Sequence, residues 1–416
     1  MKTKRYLKRP KISYTYWIVA AAFLCLFIGS GTTFFAFSLF VSPLQTEFGW
    51  SRGGIMIAFT LTLLISGVIS PAMGRLIDRY GAGKVIATGA LISGLGFILL
   101  TKTNSLASFY IGWTIVGAGG AASGIVPSTV VVSNWFKEHR GTAIGIATTG
   151  MGAGGVILAP LIGSYFIPDF GWRTSYFAMA IITWLLIPLA FSMRARPADA
   201  GLNANEIGTE TAIKNKSMSS SPAGLSLRMA LSTSAFWLIS IAFITSGFSY
   251  TGAFQSQSTY LQDIGFPVTM AATVISTVSL GILIGRFFFG WLCDKIKPKY
   301  ACGIGLGLQL AAILVLFSVQ PGSQAAIWLY VGFMGLGMGS WLPTMSMLTS
   351  NIFGLASYGA IFGMISLSMT IGSAIGPTIV GHIYDSTHTY HQAFIILAAL
   401  YVLAIPAILL VRQKSK

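Results

Sequence analysis

One arginine stands where a charge is least welcome. Of the 26 Lys and Arg residues, 25 fall in polar stretches, and the remaining one is Arg286 in Ile284-Gly285-Arg286-Phe287-Phe288-Phe289. A guanidinium presents five donors in a planar fork, the geometry that grips a carboxylate through two parallel hydrogen bonds. Asp294 marks the polar end of the same apolar stretch, eight residues on, or about 12 Å at helical rise. A side chain cannot easily snorkel that far, and an uncompensated charge in hydrocarbon costs at least a few kcal/mol. No Asp or Glu lies deep in any apolar stretch to pair with it. Arg286 therefore needs water or an anion, and a substrate carboxylate is an attractive partner. The plainer alternative is a structural arginine satisfied by helix carbonyls or hidden water.

Other polar residues at comparable depth could line a path with it: Ser30, Thr32 and Thr33; Ser123; Gln255, Ser256 and Gln257; Ser276 and Ser279; and Trp341. Each could equally make a helix–helix hydrogen bond. The Phe-rich face Phe34, Phe35, Phe37 and Phe40 reads as packing or lipid surface. Catalytic chemistry is not visible. There is no GxxxxGK phosphate loop, and Gly335-Leu336-Gly337-Met338-Gly339 reads as helix packing. His139, His382, His388 and His391 form no HExxH pattern, and Cys25, Cys293 and Cys302 have no metal or redox spacing. The expectation is a protein without enzymatic activity, metal or cofactor.

The elements that must position Arg286 follow from composition. The chain is 54% hydrophobic and 9% charged, with mean hydropathy +0.75, whereas a soluble domain is roughly 25% charged. A soluble globular enzyme is excluded, and 13% aromatic residues exclude a disordered chain. With about 20 apolar residues needed per membrane helix, twelve spans are predicted: 15–41, 54–74, 84–101, 107–133, 141–165, 175–193, 235–261, 268–292, 300–319, 324–350, 358–382 and 391–411. The first follows a basic run but is too long for a signal-peptide core, so it counts as helix 1. The stretch 194–234 is the one long hydrophilic connection, so the chain reads as a bundle at 1–193, a linker at 194–234 and a second bundle at 235–416.

The halves repeat. Gly74 and Asp78 recur as Gly290 and Asp294, Pro127 as Pro343 and Asp169 as Asp385, each 216 residues later; Phe136 recurs as Phe353 and Pro160 as Pro377, 217 later. Two bundles facing each other across a central path are expected to show such a repeat. Basic residues give the orientation. One side carries 22 Lys and Arg, and the other only Arg52, Lys102 and Arg173. Both termini and the linker are thus expected in the cytoplasm. The formal charge of +16 is mostly a topology signal, with no nucleic acid implied.

The motifs narrow the class. Gly74-Arg75-Leu76-Ile77-Asp78-Arg79-Tyr80-Gly81-Ala82-Gly83-Lys84, with a second copy Gly290-Trp291-Leu292-Cys293-Asp294-Lys295, resembles the loop 2–3 motif of the major facilitator superfamily. That resemblance covers nearly the whole chain. It implies an all-α membrane protein of twelve transmembrane helices in two pseudo-symmetric six-helix bundles, working by alternating access. The loop into helix 5, from Trp135 to Gly150, resembles the pattern of monocarboxylate transporters at Phe136, Arg140, Ala143, Gly145, Ala147 and Gly150. This points to the branch that also holds oxalate/formate exchangers. Those transporters carry an anion-binding Arg in helix 8, and Arg286 matches that position. Mammalian members place an Asp one turn earlier, where this chain has Ile282, and a Lys in helix 1, where this chain has none between Lys11 and Lys84. The usual proton-coupling residues are therefore absent.

The resulting expectation is a secondary transporter of small organic anions in the plasma (inner) membrane. Its substrates would be monocarboxylates such as lactate, pyruvate or formate, or short dicarboxylates such as oxalate, moved by proton symport or anion exchange in a working monomer. Gly74, Asp78, Arg79, Gly290, Asp294, Arg140, Pro160 and Pro377 would govern its conformational change. Pro160 with Gly155 and Gly163, and Gly372-Ser373-Ala374-Ile375-Gly376-Pro377, resemble the kinked motif of drug/proton antiporters, which makes drug efflux the alternative.

Overall fold

Long apolar stretches have one economical solution in lipid, the α-helix, because it satisfies every backbone group internally. The computed structural model describes residues 12–136, 140–193, 224–320, 322–354 and 357–411 and is helical almost throughout. The N-terminal half contains α1 (Tyr14–Phe48), α2 (Arg52–Tyr80), α3 (Ala82–Thr101), α4 (Leu106–Trp135), α5 (Arg140–Pro160) and α6. The C-terminal half contains α7 (Ser234–Asp263), α8 (Val268–Lys295), α9 (Pro298–Ser318), α10 (Gln324–Phe353), α11 (Tyr358–Thr387) and α12 (His391–Leu409).

The bounds of α6 need an argument. Ala143–Phe191 is a single apolar helical stretch of 49 residues, one of 11 such stretches among the described residues. At 1.5 Å per residue it would measure about 74 Å, more than twice the roughly 30 Å hydrocarbon core. Gly171 breaks it with φ 79 and ψ 164, a backbone conformation that a residue with a Cβ resists. The remainder of Ile167–Trp184, with Leu186–Phe191, is α6, and twelve spans result as the sequence spacing predicts. Several run further than predicted. The helix of α1 continues to Phe48 because its π turn at Gly31–Phe35 and 3-10 turn at Phe37–Phe40 bend it without stopping it.

The two halves are built on the same seam. In the first half, Gly150 and Gly154 of α5 face the Phe23 and Phe27 carbonyls of α1 so closely that a Cβ at either would collide. In the second, Gly372 and Gly376 of α11 face the Ile244 and Phe248 carbonyls of α7 in the same way. Small residues let helix backbones touch, which replaces the hydrophobic drive that lipid removes.

The ends of the molecule differ. One end, where α1 turns into α2, carries Glu47, Asp169, Asp263 and Asp385 and is called the acidic end below; the other is the basic end. A continuous buried core, from Phe35 and Phe59 through Phe254 to Tyr390, runs through both halves at the acidic end. The first half has a separate core toward the basic end, including Ile18, Ile86, Val132, Trp135 and Ala190, and no residue of the second half belongs to it. The halves are therefore packed together at the acidic end and have separate cores at the basic end.

Candidate functional site

Arg286 lies nine residues before Lys295, the last residue of α8, or about 14 Å from the basic end. Its Nη1 donates to the Thr148 carbonyl of α5 at 3.0 Å, which crosses between the halves. Its Nε is buried and has no partner among the described residues. Among the described residues no hydrogen bond engages the Nε–Nη2 edge, the edge that binds a carboxylate side-on. Ile282, one turn earlier, is buried, so no acid on α8 neutralises the charge there. Tyr250 on α7 lies close enough to Arg286 for its phenol to interact with that charge. Tyr250 in turn borders a cavity of about 10 Å³, room for roughly one water, shared with Ser246, Gln309, Ser340, Trp341 and Thr344. Sequence reasoning misses Tyr250, whose signal is a tyrosine at mid-span in Gly247-Phe248-Ser249-Tyr250-Thr251.

The other candidates are spread out. Ser30 donates to the Leu26 and Met151 carbonyls at 2.7 and 2.9 Å, Thr33 to Gly29 at 2.5 Å and Ser123 to Gly119 at 3.1 Å. Ser276 donates to Val156 of α5 at 2.7 Å. A hydroxyl has one proton, so in this state these four have none left for an anion. Gln257 accepts from Tyr330 at 2.7 Å, and its Nε2 has no partner among the described residues. It lies six residues from Asp263, about 9 Å from the acidic end, and is not brought to Arg286. Gln255 donates to the Phe34 carbonyl at 2.9 Å across the halves. Beside that bond, Phe254 stacks on Phe34 with centroids 5.5 Å apart and meets Phe35 edge-on at 5.6 Å. The Phe-rich face of α1 is thus packing surface, part of it between the halves.

A second arginine corrects the count of buried charges. The sequence assigns Arg52 to a loop, yet it is the first residue of α2 and only 6% exposed. Its Nη1 and Nη2 donate to the two Asp263 oxygens at 2.6 Å each. Nη1 also donates to the Tyr390 hydroxyl at 2.7 Å, Nε donates to Gln45 at 3.0 Å, and the guanidinium lies 3.9 Å above the Tyr384 ring. Burial pushes the Tyr390 hydroxyl up to about 12 while Arg52 pulls it back, so it stays protonated at neutral pH. Thr259 gives its own proton to the Ser256 carbonyl at 3.0 Å, so the Tyr390 proton goes to Thr259 at 2.7 Å. The Arg52 and Gly53 backbone N–H groups both donate to the Asp385 carboxylate at 2.8 Å. Deeper in, Thr60 of α2 bonds to Thr378 of α11 at 2.8 Å. From Arg286 to the basic end, no hydrogen bond joins the halves among the described residues.

The profile of the Major Facilitator Superfamily matches residues 21–366 and 260–416, which together cover most of the chain. The chain belongs to that superfamily. Among its relatives, the mouse (Mus musculus) monocarboxylate transporter 11 is 24% identical over 387 residues, covering 91% of this chain and 83% of that one. The oxalate:formate antiporter of Oxalobacter formigenes is 23% identical over 392 residues, covering 92% and 87%. A solved bacterial homolog of the human lysosomal transporter Spinster, inward-facing and unoccupied, superposes with a TM-score of 0.77 at 16% identity, over 98% of this chain and all of that one. A solved mutant of the nucleoside transporter NupG gives 0.76 at 11% identity, over 96% of this chain and all of that one.

The remaining motif positions of this major facilitator chain are arranged as follows. Gly74, Asp78 and Arg140 lie on helices, but their side chains fall outside the described residues. Arg79 is exposed over the Tyr80 ring, 5.2 Å from its centroid. Gly290 faces open space and Asp294 is exposed. Pro160 ends α5 just before the π turn Leu161–Phe166, and Pro377 lies within α11. Among the described residues no cluster of His, Cys, Asp or Glu could hold a metal ion.

Proposed function

We propose that this protein is a secondary transporter of small organic anions, with Arg286 holding the substrate carboxylate through its Nε–Nη2 edge. The observation that carries the reading is a deep arginine with, among the described residues, one carbonyl contact, an unpaired Nε and no acid paired with it. A carboxylate supplies the missing acceptors and charge together. Tyr250 and Trp341 border the same region and would contact the rest of the ligand. Ser30, Thr33, Ser123 and Ser276 serve as helix–helix or intrahelical hydrogen bonds in this state, and Gln255 and Gln257 belong to the packed acidic end.

Residues 1–193 and 235–416 act as the two rocking bundles, joined by 194–234. The basic end faces the cytoplasm, in keeping with the positive-inside rule, and the membrane is the plasma (inner) membrane. The packed acidic end then makes this an inward-facing state. Relatives named as monocarboxylate and oxalate:formate transporters support a carboxylate substrate. Ile282 and the lack of a helix-1 lysine favour anion exchange, or a proton carried with the substrate, over a proton relay in the protein. A drug antiporter would want a buried acid to meet cationic drugs, and every Asp and Glu among the described residues lies near a helix end.

The test is uptake of radiolabelled lactate, pyruvate, formate, acetate and oxalate into proteoliposomes, with and without a pH gradient. Uptake of at least one is expected for the native chain, and Arg286→Gln should abolish it while the protein remains monodisperse. Undiminished uptake by that variant would overturn the assignment of Arg286.

A further inference from the structure

The polar cluster at the acidic end is built differently from a packing contact. Arg52 belongs to the first half, yet most interactions of its guanidinium are with the second: two with Asp263, one with the Tyr390 hydroxyl, and contacts with the Tyr384 and Tyr390 rings. Among the described residues only Gln45 holds it from its own side. Asp385 of α11 caps the first two N–H groups of α2, so a helix of one half has a carboxylate of the other at its positive end. The backbones themselves touch there. A Cβ on Gly381 would lie 2.7 Å from the Gly53 nitrogen, and one on Gly53 would lie 2.9 Å from Asp385 Oδ2.

The internal repeat sets the two halves apart at this point. Glu47 ends α1 at the place where Asp263 ends α7, 216 residues later, which is the repeat offset. Glu47 is held inside its own half, by Arg173 at 2.5 Å and the Trp172 indole at 2.5 Å. Asp263 has no basic partner in its own half among the described residues and reaches across to Arg52 instead. The same repeat position braces one half and joins the other half to its neighbour. The basic end offers no cross-half ion pair among the described residues to oppose it.

We propose that Arg52, Asp263 and Asp385 form a latch that holds the acidic end shut and sets how often the central path opens to that side. Opening separates α2 from α11 and α7, so the bidentate pair, the helix cap and the Gly53–Gly381 approach break together. Loss of any one member shifts the resting population toward opening at the acidic end.

The test reads conformation and needs no substrate, so it succeeds or fails independently of the anion reading. Spin labels are placed at Thr46→Cys and Ser386→Cys, two exposed sites at the acidic end, one on each half; the native cysteines are buried. Distances are measured by pulsed electron paramagnetic resonance on the purified full chain. The doubly labelled parent should give one short distance. Arg52→Ala and Asp385→Ala should each raise a longer-distance fraction several-fold. The exchange Arg52→Asp with Asp263→Arg should recover the short distance at least in part. Gly381→Leu, which keeps every charge but fills the close approach, should also populate the long distance. Parent-like distributions for both Arg52→Ala and Asp385→Ala would overturn the latch. Should these variants fail to fold, Asp385→Asn, similar in size, decides: a long-distance fraction supports the latch and a parent-like distribution refutes it.

Discussion

Replacing Arg286 by lysine isolates the geometry of the proposed anion site from its charge. In the structure one Nη1 proton is held by the Thr148 carbonyl, and the Nε–Nη2 edge, with Nε unpaired among the described residues, is the two-donor edge open to a ligand. A carboxylate on that edge makes two charge-assisted hydrogen bonds, each worth about 1.5–3 kcal/mol. Lysine keeps the positive charge, but its ammonium is a point donor and gives a carboxylate one good bond in place of two. The expected loss is one bond, or roughly a 10- to 150-fold rise in the concentration needed for half-saturation. Maximal rate should change less, because the charge that draws the anion in is kept. The assay is competition: unlabelled substrate titrated against uptake of the labelled anion in proteoliposomes, for the native chain, Arg286→Lys and Arg286→Gln. The order should be native, then lysine, then glutamine with no measurable uptake. A lysine variant with native half-saturation would show that the fork is not used, and would refute the side-on geometry even if the charge proved necessary.

Three further outcomes follow from packing. Gly154→Ala drives a Cβ into the Phe27 carbonyl, a backbone atom that cannot swing away; it should cost about 1–3 kcal/mol and lower the thermal midpoint in detergent, whereas Gly120→Ala, with nothing within 4 Å, should leave the midpoint unchanged. Cys25, Cys293 and Cys302 are all buried, so a maleimide should label none of them in the native protein and all three after denaturation; fast native labelling would contradict the packing of α1, α8 and α9. Glu47→Gln removes an ion pair between side chains 38% and 45% exposed, so it should leave the acidic-end distance distribution unchanged where Asp385→Asn alters it.

The spans and the inward arginine are legible from sequence because both are local. Hydrocarbon thickness sets a length ruler, and one charge in an apolar run stands out without any partner being known. The break between α5 and α6 is legible as well, since no single helix of that length fits a bilayer. Arg52 is misread for a related reason. A residue at the edge of a span counts as loop by hydropathy, and its burial is conferred by Asp263, Asp385 and Tyr390, which lie more than 200 positions away in the chain. The repeat held a clue, since Glu47 and Asp263 share its offset, but not that one partner would face inward and the other across. Tyr250 escapes for the opposite reason: tyrosine is amphipathic, so a mid-span position does not flag it as polar.

The tether of Arg286 has a consequence for how this protein can change over generations. Its partner on α5 is a main-chain oxygen, so the identity of residue 148 does not decide whether the contact exists. Any residue that keeps α5 helical and leaves room at that position supplies the same acceptor. Mutation can therefore reshape the α5 wall, and with it the size of ligand admitted, without loosening the arginine. On the proposed reading, the anchoring group and the selectivity of the path are free to drift separately, and a chain built this way can acquire new anions by changing its walls alone.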